Sequence, residues 1–183
     1  MSQGTLFYVI GASGAGKDSI CAGARAAMSG ESPVFFAHRY ITRPADAGGE
    51  NHVALSAEEF RTRKEMNLFA MSWESHGNHY GIGTEIDLWL ERGAGVVVNG
   101  SRAYLDTAAE RYPNLVPIHI TVCQPVLRRR LLERGRESIE QIEKRLRRTA
   151  ELSPVAHPAT RVVRNDATLS EAVQQFLEVV QDR

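Results

Sequence analysis

A glycine-rich segment near the start of the chain has the spacing of a phosphate-binding loop. Its pattern is G-x-x-x-x-G-K, and its residues are Gly11, Ala12, Ser13, Gly14, Ala15, Gly16 and Lys17. Glycines allow backbone N–H groups to turn towards phosphate oxygens, and the lysine reaches the outer phosphates of a nucleotide. A buried strand predicted over 6–10 and a helix predicted over 17–28 flank the loop as this motif requires. We therefore predict an ATP site with Lys17 as a catalytic residue, rather than a chance glycine turn.

The residue after this lysine departs from the usual form of the motif. A Ser or Thr normally stands there and holds Mg²⁺, together with an acid at the end of a neighbouring strand. Here Asp18 follows the lysine, Ser19 comes next, and the strand predicted over 95–98 ends in the neutral Asn99. We predict that the carboxylate has moved to the loop and that Asp18 binds Mg²⁺ directly or through water. The alternative is that Asp18 only favours the start of the helix.

The composition indicates an ordinary globular chain. It has 183 residues, of which 43% are apolar, and its 22 basic and 22 acidic side chains give no formal net charge. Such a balance argues against a general nucleic-acid binder, because that affinity comes mostly from excess positive charge. Two cysteines provide no disulfide framework or metal spacing, and we expect both to be reduced core or near-core residues. No signal sequence or membrane span is predicted, so a cytoplasmic location is expected.

Strand and helix patterns alternate along the chain. Strands are predicted over 6–10, 34–36, 95–98, 117–122 and 161–163, and helices over 17–28, 84–92, 101–112, 125–134, 138–152 and after the capping residues 168–171. This alternation predicts a three-layer α/β fold of the P-loop type around a mostly parallel five-stranded sheet. We expect one domain over 1–183, with an acceptor-binding insertion at about 39–82 and a lid region at about 125–152.

Several short segments resemble the guanylate kinase family. They are Thr42-Arg43-Pro44, 55–60, Gly77-Asn78-His79-Tyr80-Gly81, Arg134-Gly135-Arg136, Arg145-Leu146 and Asn165-Asp166. The resemblance implies that Arg43 and Tyr80 bind the phosphate of the acceptor. It also implies that Arg134, Arg136 and Arg145 are lid arginines that close on the transferring phosphate, and that Asn165 borders the adenine of ATP.

Other positions depart from that family. Its members carry a glutamate that reads guanine, and Met71 stands at the matching place. The acid at the end of the central strand is replaced by Asn99, and His52 replaces a tyrosine of the acceptor loop. A thioether cannot accept hydrogen bonds from the N–H groups of guanine as a carboxylate does. The sequence therefore predicts an acceptor other than a guanine nucleotide.

The segments that contain or surround these departures resemble those of the ribose 1,5-bisphosphate phosphokinase family. The matching segments are 38–43, 50–56, 85–90 and 98–102. The resemblance implies transfer of the γ-phosphate of ATP, with Mg²⁺, to a sugar bisphosphate, which yields 5-phosphoribosyl 1-diphosphate during phosphonate breakdown. Arg39 and Arg102 add cations where guanylate kinases have none, as an extra phosphate requires. We assign acceptor binding to Arg39, Arg43, His52, Tyr80 and Arg102.

Three alternatives remain at the level of sequence. The chain could be a guanylate kinase, against which Met71 argues, or an inactive guanylate-kinase-like binding module, against which Lys17 and the lid arginines argue. Arg39 and Arg102 could instead be partners in surface salt bridges. The sequence leaves the oligomeric state open, a homodimer included.

Overall fold

The computed structural model describes residues 3–28, 33–47, 50–135, 137–151 and 155–182. Its strands are β1 (Leu6–Gly11), β2 (Val34–Phe36), β3 (Arg39–Ile41), β4 (Val53–Ala54), β5 (Phe69–Ser75), β6 (Asn78–Gly83), β7 (Gly95–Asn99), β8 (Leu115–Thr121) and β9 (Arg161–Arg164). Its α-helices are α1 (Lys17–Ala27), α2 (Ala57–Glu65), α3 (Glu85–Glu91), α4 (Leu105–Arg111), α5 (Gln124–Arg134), α6 (Ile139–Ala150) and α7 (Leu169–Gln181).

The central sheet has five strands in the order β2-β7-β1-β8-β9, and every pair in it is parallel. Successive side chains of β1 point to opposite faces of the sheet. Leu6, Tyr8 and Ile10 pack with residues of α3 and α4, whereas Phe7 and Val9 pack with residues of α1 and α7. This arrangement explains why β1 is apolar throughout, and it confirms the predicted three-layer α/β fold.

A second sheet occupies the segment in which the sequence pattern predicted a short helix from the capping box at 56–59 but no strands. Its four strands run in the order β4-β3-β6-β5, with β3–β6 and β5–β6 antiparallel. Ser56 caps α2, which follows β4, by accepting a hydrogen bond from the N–H of Glu59. The sheet supplies the predicted acceptor region with its own scaffold, while its role as an acceptor-binding insertion stays a prediction.

Helices α5 and α6 form a pair at the edge of the phosphate loop. Leu127, Leu131, Ile142 and Leu146 make a small core between them. A capping box at Ser138 starts α6, and Gly135 ends α5 in a left-handed conformation with φ of 60°. This pair covers most of the region in which we predicted a lid.

Two further expectations can be compared with the structure. Cys21 is partly buried, as expected, but Cys123 is exposed, which corrects the prediction that both lie in or near the core. The reason is that Cys123 is the residue just before α5, where the chain leaves β8 at the surface. Within the described ranges, no helix has the length and apolar character needed to cross a membrane.

Candidate active site

The phosphate loop joins the end of β1 to the start of α1. Gly14 and Gly16 have φ of 91° and 93°, a left-handed conformation that favours glycine. A Cβ on Gly16 would lie 2.4 Å from Nδ2 of Asn165, and one on Gly14 would lie 3.0 Å from Cδ1 of Leu127. Both glycines are therefore required by backbone conformation and by close neighbours, as expected for a loop that wraps phosphate.

Lys17 is folded back over this loop. Its Nζ donates to the carbonyl of Gly11 at 2.8 Å and lies 3.4 Å from the carbonyl of Ala12. Burial lowers the pKa of Lys17, and the neighbouring Asp18 carboxylate opposes that effect. A partly buried ammonium that is held by neutral carbonyls gains from an anionic ligand, which places Lys17 where a phosphate would be bound.

A cleft of about 350 Å³ opens in front of the loop. It brings together most of the residues that the sequence predicted for the site. Its lining includes Gly11, Ser13, Gly14, Gly16, Lys17, Asp18, Ser19, Arg39, Tyr80, Arg102 and Arg134. Ala15 is fully buried behind the loop. Donor-side and acceptor-side predictions therefore meet in one cavity, although the individual roles stay predictions.

The second sheet holds Arg39 and Tyr80 at the wall of the cleft. The guanidinium of Arg39 lies over the Tyr80 ring, 5.2 Å from its centroid, and Tyr80 stacks on Trp73 at 5.7 Å. Tyr80 is buried and Trp73 also lines the cleft. The planes of the two rings support the plane of the guanidinium, an arrangement that suits arginine better than lysine.

Glu50 lies behind these residues and binds both acceptor arginines. Its carboxylate accepts hydrogen bonds from Nε and Nη2 of Arg39, the former at 2.7 Å, and lies 3.7 Å from Nη2 of Arg43. The Nε of Arg43 is buried and has no hydrogen-bond partner among the described residues. Arg43 is outside the lining of the main cleft, whereas Arg39 lines it.

His52 stabilises the loop that carries Glu50. Its Nδ1 lies 3.2 Å from the carbonyl of Glu50, and its Nε2 lies 3.1 Å from the carbonyl of Arg43. The side chain is buried. In this arrangement both ring nitrogens contact backbone, so His52 fixes the loop geometry; direct contact with an acceptor stays a prediction.

Arg102 reaches the cleft from a loop that Tyr8 anchors. The Tyr8 hydroxyl donates to the carbonyl of Ser101 at 3.1 Å and accepts from its N–H at 3.0 Å. The ring packs so closely on the preceding residue that a Cβ on Gly100 would lie 2.1 Å from Cζ of Tyr8. A fully buried strand residue thus fixes the backbone immediately before Arg102.

Asp18 and Asn99 are neighbours, as the idea of an exchanged carboxylate requires. Nδ2 of Asn99 donates to Oδ1 of Asp18 at 2.6 Å. Oδ1 of Asn99 is buried and lacks a hydrogen-bond partner among the described residues. Within the described part of the chain no group of three or more His, Cys, Asp or Glu residues could hold a metal ion.

The predicted lid residues approach the loop from α5 and α6. Nη1 of Arg145 donates to Oγ of Ser13 at 3.3 Å, and its Nη2 forms an ion pair with Glu137. Arg134 lines the cleft at the end of α5. Asn165 donates to the carbonyl of Ala15 at 2.7 Å, so it supports the loop from below. Arg136 lies outside the described residues.

Several curated proteins are similar in sequence to this chain over nearly its whole length. The ribose 1,5-bisphosphate phosphokinase PhnN of Desulfomicrobium baculatum is 55% identical over 96% of this chain and 93% of its own length. Those of Psychromonas ingrahamii and Thiobacillus denitrificans are 48% and 50% identical over 100% of this chain, and over 92% and 95% of theirs. This chain belongs to the ribose 1,5-bisphosphate phosphokinase family. It is therefore a kinase.

Solved structures place this family member within a wider fold. A guanylate kinase from Anaplasma phagocytophilum is 16% identical and superposes with a TM-score of 0.70 over 100% of this chain and 87% of its own. A sugar kinase from Janibacter is also 16% identical, with a TM-score of 0.54 over 98% and 95%. These likenesses confirm the guanylate-kinase-like fold. None of the protein-family models compared with the chain matches it.

Sequence reasoning missed three residues of this phosphokinase site. Glu50 binds the two acceptor arginines, Tyr8 anchors the loop before Arg102, and Trp73 stacks on Tyr80. Glu50 lies in the segment 50–56, which carried the family resemblance. An acidic residue two positions before His52, within the predicted acceptor region, was a signal that could have identified it. Tyr8 gave no such signal, because a tyrosine in a buried strand looks like an ordinary core residue.

Proposed function

We propose that this protein transfers the γ-phosphate of ATP to the 1-phosphate of ribose 1,5-bisphosphate. The observation that carries the proposal is the single cleft, which has Lys17 and the phosphate loop on one side and Arg39, Tyr80 and Arg102 on the other. Its relatives are named for this acceptor. The reaction would supply 5-phosphoribosyl 1-diphosphate during phosphonate breakdown.

The proposed reaction needs no general base. A phosphate monoester is largely a dianion near neutral pH, since its second pKa is about 6. An oxygen of the 1-phosphate forms a bond to the γ-phosphorus, while the bond from that phosphorus to the β–γ bridging oxygen breaks. The products are ADP and the sugar with a diphosphate at carbon 1. Lys17, Arg134 and Arg145 neutralise the charge that the transferred group carries.

Arginines at the acceptor side match a ligand with two separate phosphates. Arg39 and Arg102 line the cleft, and Arg43 lies beyond Arg39 across the Glu50 carboxylate. Arginine presents several N–H donors in a fixed plane, which suits phosphate oxygens. Two phosphates held at fixed points would orient the 1-phosphate in line with the donor, which is the main source of rate in phosphoryl transfer.

The residues near the loop fit a magnesium ion that arrives with ATP. Asp18 lines the cleft, and beside it is the amide of Asn99, whose oxygen has no hydrogen-bond partner among the described residues. Mg²⁺ bound with ATP would neutralise part of the negative charge of the phosphates. Asp18 would hold the ion, directly or through water, and Asn99 would orient the Asp18 carboxylate.

The acceptor preference can be tested by measuring ADP release with three compounds side by side. Ribose 1,5-bisphosphate, GMP and ribose 5-phosphate are supplied in turn at fixed ATP and Mg²⁺. We expect ribose 1,5-bisphosphate to give a kcat/KM at least ~100-fold above either alternative, because each alternative lacks one phosphate or the sugar-1-phosphate nucleophile. GMP requires a carboxylate where this chain has Met71, which is buried in the core. Preferred phosphorylation of GMP would contradict the proposal.

A further inference from the structure

Glu50 stands out because it is an acid that contacts two arginines behind a cleft that we propose binds anions. Its side chain is only 14% exposed, and that of Arg39 is 13% exposed. It belongs to a row of alternating charges in which Arg43, Glu50, Arg39 and Asp18 follow one another, with 3.7 Å between Arg43 and Glu50 and 3.9 Å between Arg39 and Asp18. The row joins the acceptor loop to the phosphate loop.

The geometry points to Glu50 as the positioning residue of the acceptor site, an inference that rests on the proposed function. The carboxylate engages the Nε and Nη2 of Arg39, the bidentate arrangement that fixes both position and plane. The Tyr80 ring supports the same guanidinium from its face. With the plane and one edge fixed, the remaining N–H donors of Arg39 are directed to the cleft that Arg39 lines.

Glu50 also competes with Asp18 for Arg39 and forms the closer ion pair of the two. The Nη2 of Arg39 that binds Glu50 is the same atom that lies 3.9 Å from Oδ1 of Asp18. Without the Glu50 charge, the nearest carboxylate for Arg39 would be Asp18, and the arginine would leave the acceptor wall. Glu50 therefore competes for an acceptor-binding cation with the carboxylate that we predict for Mg²⁺.

A glutamine at this position removes the charge while preserving size. Its one carbonyl oxygen can accept from a single arginine, and its NH₂ group would face the other one. In Glu50→Gln we expect the Kd for ribose 1,5-bisphosphate to rise ~10-fold or more, the scale of coupling between contacting residues. The Kd for ATP should change less than ~3-fold. Glu59→Gln is the matched control, since Glu59 forms an ion pair with Arg63 on an exposed helix face.

A double-mutant cycle separates positioning from general support of the fold. If Glu50 acts through Arg39, adding Glu50→Gln to Arg39→Ala should weaken acceptor binding by less than ~3-fold further. If the increase in Kd of the double variant equals the product of the increases in the two single variants, the inference is overturned. It is also overturned if Glu50→Gln binds ribose 1,5-bisphosphate as tightly as the unaltered enzyme, or more tightly. In that last case Glu50 would only reduce the positive charge of the site. Unchanged ATP binding checks that each variant is folded.

A second probe keeps this test independent of the sugar. Inorganic phosphate is titrated by calorimetry into enzyme saturated with Mg²⁺ and a non-hydrolysable ATP analogue, so that only the acceptor side is open to it. Glu50→Gln should weaken this binding as well, and unchanged phosphate binding would contradict the role of Glu50. If the unaltered enzyme releases no ADP with ribose 1,5-bisphosphate, the proposed function fails, while the phosphate titration still decides on Glu50.

Discussion

Lys17 is the residue on which the donor side depends most. It is partly buried, and its Nζ is held by the carbonyls of Gly11 and Ala12. Because its pKa is lowered in the folded state, the charged lysine costs folding free energy at every pH below its unfolded pKa. The side chain is thus retained at the expense of stability, which is typical of a functional group.

Replacing this lysine should therefore separate activity from stability. We expect Lys17→Ala to lose at least ~100-fold in kcat, the scale of removing one charge contact to a transition state. Its thermal unfolding midpoint should not fall, since a partly buried charge has been removed. Lys64→Ala, at an exposed position of α2, is the control. Turnover near that of the control would rule out the phosphate-loop assignment.

Asp18 allows the magnesium prediction to be tested against the helix-end alternative. In Asp18→Asn, the Mg²⁺ concentration for half-maximal rate should rise at least several-fold, with little change in stability, because a carboxylate ligand is lost. Asp106→Asn is a matched control, since Asp106 is also an acid in the first turn of a helix, α4. A helix-end role alone would cost ~0.3–1 kcal/mol in both variants and leave the Mg²⁺ dependence unchanged.

At the scale of elements, the link from β1 to the Arg102 loop makes a strand residue important for binding. Tyr8→Phe removes two hydrogen bonds to Ser101 and keeps the packing on Gly100. We expect the KM for ribose 1,5-bisphosphate to rise ~3- to 10-fold with the KM for ATP nearly unchanged, because the shifted loop carries an acceptor residue.

Tyr112→Phe provides the comparison for that variant. Tyr112 is also buried, and its hydroxyl donates to Asp87 at 2.7 Å, away from the cleft. Tyr112→Phe should lose ~1 kcal/mol of stability, the usual net value of one hydrogen bond, and Tyr8→Phe, which loses two, should lose ~2 kcal/mol. Equal acceptor KM values in the two variants would mean that Tyr8 only stabilises the fold.

Long elements with a clear period could be predicted from the sequence, and short ones could not. The apolar run of β1, the capping residues of α2 and the amphipathic pattern of α6 each specify their own structure locally. Strand β4 consists of two exposed residues, and β3 consists of three residues of which only Ile41 is buried, so both are too short to carry a pattern of their own. They exist because β6 pairs with β3, which in turn pairs with β4. Such pairing joins segments about forty residues apart and leaves no local signal.

The candidate site was predictable where a motif fixes the backbone and unpredictable where partners meet by folding. The spacing of Gly11 to Lys17 is that of a phosphate loop, so the motif alone predicts the backbone of this segment. The ion pair of Glu50 with Arg39, and the approach of Asn99 to Asp18, depend on how two sheets are placed around one cleft. Those contacts needed the structure.

On the scale of the whole molecule, a chain without formal net charge brings four cationic side chains together at one cleft. Lys17, Arg39, Arg102 and Arg134 line the same cleft although they lie far apart in the sequence. The central sheet provides the donor loop, the second sheet provides the acceptor wall, and α5 and α6 provide the arginines at the edge. We propose that this division allows a guanylate-kinase-like fold to accommodate an acceptor that has no base.

The position of the new phosphate tests the account most directly. The enzyme is incubated with ATP, Mg²⁺ and ribose 1,5-bisphosphate, and the product is observed by phosphorus NMR. We predict two mutually coupled resonances of a diphosphate at carbon 1 and an unchanged resonance of the 5-phosphate. A diphosphate at carbon 5, or ATP consumption without any sugar diphosphate, would contradict the proposed arrangement of donor and acceptor in the cleft.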